Sequence, residues 1–155
     1  METLGYGSHL ILDGFRAERG AEQPKPASPL ADEARLRSLL RTLALGLEPK
    51  LEPEVWLERQ NEGEPGYSGA VWQAESHLAV HSFERLGALT LSVFSRRGLD
   101  PRAFERALEP FGLRRFESHL KNHAKTMARE SAQRRRTLLG DRRYAALRLA
   151  DLAVL

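Results

Sequence analysis

Glu75, Ser76, His77 and His81 crowd into one short, otherwise apolar stretch, AESHLAVHSF, residues 74–83. A serine so placed can attack the carbonyl on its own amino side. An N-to-O acyl shift at Ser76 makes an ester with Glu75, and removal of the Ser76 α-proton then expels the Glu75 carboxylate. The remnant of Ser76 becomes a pyruvoyl group. Such chemistry needs a strained carbonyl, a base for the α-proton and donors for the developing oxyanion. His81 is the candidate base and Ser68 a candidate donor. The competing reading is a half-buried β-strand whose polar residues face water or satisfy one another.

Side-chain alternation turns these two readings into a geometric test. Ser68 and Ser76 differ by eight positions and share a face on a continuous strand; Ser76 and His81 differ by five and do not. His81 therefore reaches Ser76 only if the chain turns, bulges or is cut between them. A straight, uninterrupted strand through 74–83 counts against the pairing. His77 opposes Ser76 by the same rule and is read as a structural neighbour.

The elements around this stretch follow from pattern. Leu10 to Phe15, between Gly7 and Gly14, reads as a strand, and AERGAEQPKPAS (residues 17–28) as a loop. Ser28 and Pro29 supply a cap and a first-turn proline for a helix with Leu36, Leu39, Leu40, Leu43 and Leu47 on one face. Strand patterns follow through Val55 and Leu57, through YSGAVWQAESHLAVHSF and through GALTLSVFS. Asp100 and Pro101 open a second helix carrying Phe104, Leu108 and Phe111 and closed by Gly112. LRRFESHLKNH reads as a last strand through Phe116, Ser118 and Leu120, and from Ala124 the composition is helical. The predicted fold class is α+β: an antiparallel sheet covered on one face by two helices, with a C-terminal helical extension. Residues 1–123 form the predicted domain and 124–155 a basic helical extension.

Composition excludes several classes. The 155 residues suffice for one core, and the chain contains no cysteine, which removes disulfides, thiolate metal sites and a cysteine nucleophile. The N-terminal stretch lacks the basic start of a signal peptide, and no run of apolar residues is long enough to span a membrane. The expected setting is cytoplasmic. A net charge of +3 reflects the region after residue 113, where Arg134, Arg135 and Arg136 are typical, while the first hundred residues are slightly acidic. Without interleaved aromatics, that run argues against nucleic acid as a partner. His119 and His123 have the spacing of a helical metal pair, but no third ligand is evident, so no metal is expected.

The order GSHLILDGF, YSGAVWQAESHLAVHSF and GALTLSVFSRR resembles the prokaryotic S-adenosylmethionine decarboxylase family, which carries G-x-H-x-x-x-D, S-G and A-E-S-H-x-x-x-H segments. The match runs from about residue 4 to 118. The resemblance implies self-cleavage between Glu75 and Ser76, a covalent pyruvoyl group from Ser76 as the cofactor, and Ser68, Glu75, Ser76 and His81 as the catalytic set. It also implies a homodimer with its site at or near the interface, acting on a small-molecule amino-acid substrate. Tyr67, Phe83, Glu84, Arg85 and Arg96 are the expected substrate-binding residues. His9 and Asp13 fall in the first shared segment, although a capped strand end explains them equally well.

Three departures stand against the family pattern. Arg96 occupies the place of the family's proton-donating cysteine, and a guanidinium does not give up a proton near neutrality. Arg85 stands where a glutamate holds the ribose hydroxyls, with Glu84 one position earlier, and Ser92 replaces a common aspartate. Three readings follow: an S-adenosylmethionine decarboxylase of polyamine synthesis, a pyruvoyl-dependent decarboxylase of L-arginine or L-ornithine, and a non-catalytic paralogue that binds or regulates a partner.

Overall fold

A computed structural model describes residues 7–16 and 28–123. Six strands form one antiparallel sheet: β1 (Gly7–Arg16), β2 (Val55–Gln60), β3 (Gly66–Trp72), β4 (Ser76–Phe83), β5 (Ala88–Ser95) and β6 (Leu113–His123). Their spatial order is β2-β3-β4-β5-β1-β6. Among the described residues the two α-helices are α1 (Glu33–Leu47) and α2 (Pro101–Leu108). The predicted C-terminal helical extension lies outside the described residues.

Cross-strand partners share a face, so the register assigns every side chain. One face carries Leu10 and Leu12 of β1, Val71 of β3, Leu78 and Val80 of β4, and Leu89, Leu91 and Val93 of β5, all at most 1% exposed. Helix α1 lays Leu36, Leu39, Leu40 and Ala44 on β2, β3 and β4, and α2 lays Phe104 and Leu108 near β1 and β6, within the same core. The two helices cover one face, as the hydrophobic spacing predicts.

The helix starts need one correction. Ser28 and Pro29 do not open α1; they open a single 3-10 turn, Pro29–Ala31, in which Ser28 Oγ accepts from the Leu30 N–H. Asp32 caps α1 instead, its carboxylate accepting from the Arg35 N–H at 3.1 Å. The two caps have the same chemistry four residues apart, and the proline favours the tighter turn first. The second helix starts as predicted, with Asp100 accepting from the Arg102 N–H. It ends in a 3-10 turn, Glu109–Phe111, closed by Gly112 at φ 79°.

Strand β3 is held close to β4 where no side chain intervenes. A Cβ on Gly66 would lie 1.8 Å from the Ser82 carbonyl oxygen. The same segment is tied by Ser82 Oγ, which accepts from the Tyr67 N–H and donates to the Leu30 carbonyl. Gly66→Ala is therefore expected to destabilise the protein by about 3 kcal/mol, at the upper end of overpacking costs. Gly46→Ala, in α1 with nothing within 4 Å, is expected to stabilise by about 0.5–1 kcal/mol. Urea unfolding of both variants measures the contrast.

Candidate active site

The Glu75–Ser76 bond sits where a tight hairpin becomes a strand. Residues 73–75 connect β3 to β4, and the Gln73 N–H donates to the Ser76 carbonyl at 2.9 Å across that turn. Ser76 is the first residue of β4, pairs with Ser95 and is 3% exposed. Its side chain points to the helix-covered face. There its Oγ donates to Glu48 Oε1 at 2.6 Å and lies 3.1 Å from the Gln73 side-chain oxygen. A hydroxyl has one hydrogen, and the shorter bond to the carboxylate takes it. Turning the Gln73 amide over lets it donate to Ser76 instead and supplies a partner for Gln73 Nε2, which is otherwise buried without one.

Both groups that the sequence reading pairs are held. The Glu75 carbonyl oxygen accepts from the Arg96 backbone N–H at 3.0 Å, directly after β5. The Glu75 N–H donates to the same Glu48 Oε1 at 2.9 Å. The Glu75 side chain faces the Arg96 guanidinium at 3.4 Å, an exposed pair of little energetic weight. The Glu48 carboxyl is held below its ordinary value by the Ser76 hydrogen bond first, then by the Glu75 N–H and the charge of Arg97, against a partial desolvation. Glu48 is thus an acceptor for the hydroxyl, and the Arg96 N–H a donor on the carbonyl that hydroxyl would attack.

Sequence reasoning missed Glu48 and the Arg96 N–H. Glu48 reaches Ser76 across 28 positions of chain, a distance no local pattern reports. One faint signal exists: Glu48 ends α1 just before Pro49, and helix dipoles disfavour a carboxylate there.

The predicted base is elsewhere. Strand β4 runs unbroken from Ser76 to Phe83, paired with β5 along its whole length. His81 therefore lies on the opposite face from Ser76 and about 16 Å farther along the strand. Within one chain His81 does not reach Ser76. His81 and Ser68 are brought together, as cross-strand partners with Oγ to Nδ1 at 2.9 Å.

The expected substrate residues split in the same way. Tyr67, Phe83, Glu84 and Arg85 lie at the His81 end, where Arg59 pairs with Glu84 and stands 4.9 Å over the Tyr67 ring. The Arg85 N–H donates to Glu64 at 2.5 Å. Arg96 alone among them is at the Ser76 end.

The open face is ordered into rows by the register. Asp13, Thr90, His81, Ser68 and Glu58 are successive cross-strand partners over five strands, with Thr90 donating to Asp13 at 2.6 Å. Ser92, Ala79 and Ala70 form a row of small side chains beside it, flanked by Ile11 and Trp56. His9, Phe94, His77 and Trp72 form an aromatic row at the Ser76 end, with His77 stacked 4.4 Å from Trp72 and 5.4 Å from Phe94. His9 also bonds Ser92 Oγ at 2.9 Å. His119 and His123 lie on strand β6, about 13 Å apart rather than one helical turn. Among the described residues no group of three metal-ligating side chains occurs, and no helix is long and apolar enough to cross a membrane.

The S-adenosylmethionine decarboxylase family profile matches residues 9–124, three quarters of the chain. The chain belongs to the S-adenosylmethionine decarboxylase family. That membership makes it a decarboxylase. Its fold is similar to the crystal structure of the adenosylmethionine decarboxylase from Aquifex aeolicus, with a TM-score of 0.56 and 18% identity over 77% of this chain and 91% of that one. No curated protein sequence matches the chain.

The stacked histidine offers a test of the open face. Burial first, and His9 second, hold His77 below the ordinary imidazole value of 6.5. A depressed value means that the neutral ring favours the fold above that range and that stability is lost as pH falls below it. Trp72→Ala uncovers the ring and is expected to raise the His77 pKa, read from NMR titration of its ring protons. An unchanged or lower value contradicts the packing described.

Proposed function

We propose that the chain cuts itself between Glu75 and Ser76 and, as a homodimer, decarboxylates S-adenosylmethionine in the cytoplasm for polyamine synthesis. The observation that carries this reading is the double hold on one peptide bond: a carboxylate on the Ser76 hydroxyl and a backbone N–H on the Glu75 carbonyl oxygen. An intact strand start has no need of a carboxylate bridging the Ser76 hydroxyl and the Glu75 N–H.

The cleavage balances without any added reagent but water. Ser76 Oγ bonds to the Glu75 carbonyl carbon, and the C–N bond to Ser76 breaks to leave an ester and a free amine. Loss of the Ser76 α-proton then breaks the Cβ–O bond and frees the Glu75 carboxylate. Tautomerisation and hydrolysis release ammonia and leave a pyruvoyl group on residues 76–155. That group would supply a ketone able to take up a substrate amine and to withdraw the electron pair left by CO2. The residues present suit it: the Ser76 position is shielded from water, and Glu48 and Gln73 offer hydrogen bonds there.

A dimer removes the separation along the strand between Ser76 and the Ser68–His81 pair. A two-fold axis passing through the small row of Ser92, Ala79 and Ala70 lets two open faces approach closely. It also sets the polar row of one copy against the aromatic row and the Ser76 end of the other. Exposed Trp72, at 76%, and Trp56, at 55%, are the kind of surface such a contact removes from water. In that arrangement the His81 and Ser68 of one copy approach the other's Ser76 from the open side, opposite its hydroxyl, to act at its α-carbon rather than at Oγ. Tyr67, Phe83, Glu84 and Arg85 arrive with them to bind the substrate.

Cleavage and substrate are checked separately. Intact mass is expected to show wild-type protein as two fragments, 1–75 and a keto-terminated 76–155, instead of one chain of 17.5 kDa; Ser76→Ala is expected to remain whole. Release of CO2 from carboxyl-labelled S-adenosylmethionine, with labelled L-arginine and L-ornithine run beside it, identifies the substrate. Labelled CO2 from either amino acid alone contradicts the adenosylmethionine assignment.

Arg96→Cys isolates the proton donor. The substitution keeps the backbone N–H on Glu75 and puts an ionisable thiol in place of a guanidinium, so self-cleavage is expected to persist while turnover or enzyme lifetime rises. An unchanged turnover and lifetime means that another acid already protonates the product.

A further inference from the structure

Glu48 touches the reacting oxygen and has no other evident task. It ends α1, where the helix dipoles oppose a carboxylate, yet it is turned onto Ser76 and Glu75 rather than outward to solvent. Its 2.6 Å contact with Ser76 Oγ lies in the range of a hydroxyl bonded to an ionised oxygen. The same Oε1 holds the Glu75 N–H, so the carboxylate straddles the residue on each side of the scissile bond.

The groups around it complete the picture. Arg97 contributes positive charge that keeps the carboxylate ionised, and Gln73 offers an uncharged amide to the same hydroxyl. Glu75 directs its own carboxylate to Arg96. His81 is engaged with Ser68 at the far end of β4. Among the described residues, Glu48 supplies the one basic group in contact with Ser76 Oγ.

We propose that Glu48 is a catalytic residue of self-cleavage: its carboxylate takes the Ser76 hydroxyl proton as Oγ bonds to the Glu75 carbonyl carbon, and returns it to the Ser76 nitrogen as the C–N bond breaks. The charge that develops on the Glu75 oxygen meanwhile falls on the Arg96 N–H. The proton is conserved over the step, and the product is the ester. Removal of the α-proton belongs to the later elimination and to a different group. This assignment rests on the self-cleavage reading and names the base for its first step.

The experiment uses full-length wild type, Glu48→Gln and Glu48→Asp, purified rapidly and followed by intact mass with and without hydroxylamine, which splits an ester. Glu48→Gln keeps the shape and an acceptor oxygen but cannot take a proton. It is expected to cleave at least about 100-fold more slowly than wild type, at an unchanged unfolding temperature, and to stay whole in hydroxylamine because no ester forms. His81→Ala, run alongside, is expected to be split by hydroxylamine, which separates the two steps. Cleavage of folded Glu48→Gln at the wild-type rate overturns the Glu48 assignment and leaves self-cleavage standing. A wild-type chain that never cleaves overturns the self-cleavage reading and the assignment with it. Should Glu48→Gln fail to fold, Glu48→Asp decides: cleavage slowed about tenfold or more by the withdrawn carboxylate supports the assignment, and the wild-type rate overturns it.

Discussion

The two-residue period of one unbroken strand governs everything proposed for this protein. Because β4 pairs with β5 from Ser76 to Phe83, Ser76 is committed to the helix-covered face and His81 to the open one. A one-residue slip would exchange every side chain between core and surface, and the buried Leu78, Val80, Leu89, Leu91 and Val93 forbid it. The same packing that stabilises the domain therefore divides its reactive residues into two groups. One group surrounds the bond to be cut; the other gathers at the far end of the strand.

Much of the architecture was legible because it depends on short-range rules. The alternation through β5, the Asp100–Pro101 start of α2 and the glycine that closes its last turn are each set within a few residues of sequence. The alternation rule by itself puts Ser76 and His81 on opposite faces of a continuous strand, so the strand's continuity is the deciding observation. The start of α1 was misread because Ser28 and Asp32 are equally good caps and only the turn between them chooses. Glu48 was out of reach, since its contact with Ser76 depends on how the end of α1 lands on the β3–β4 hairpin. The Arg96 N–H was hidden for another reason: sequence comparison weighs side chains, and here the backbone of that residue does the holding.

Arg96 shows how a position can lose one role and keep another. Its guanidinium has no proton to give near neutrality, so the donor expected there by resemblance is gone. Its amide still continues the β4–β5 ladder onto the Glu75 carbonyl, a contact that any residue except proline would make. The proposed self-cleavage thus draws on the backbone of residue 96, and the proton donor of the family pattern would have come from its side chain. A change of side chain at residue 96 leaves that backbone contact in place.

The claim that a working site is assembled from two copies is tested most directly by mixing two dead chains. Ser76→Ala lacks the nucleophile and His81→Ala lacks the pair on the open face; each alone is expected to remain whole or to stall at the ester. Co-expressed with tags of different mass, they form mixed dimers in which one site contains both an intact Ser76 and an intact His81. The account predicts that the His81→Ala chain, and only that chain, is then cut to a keto-terminated fragment. Stable mixed dimers in which the His81→Ala chain never reaches that fragment would contradict it.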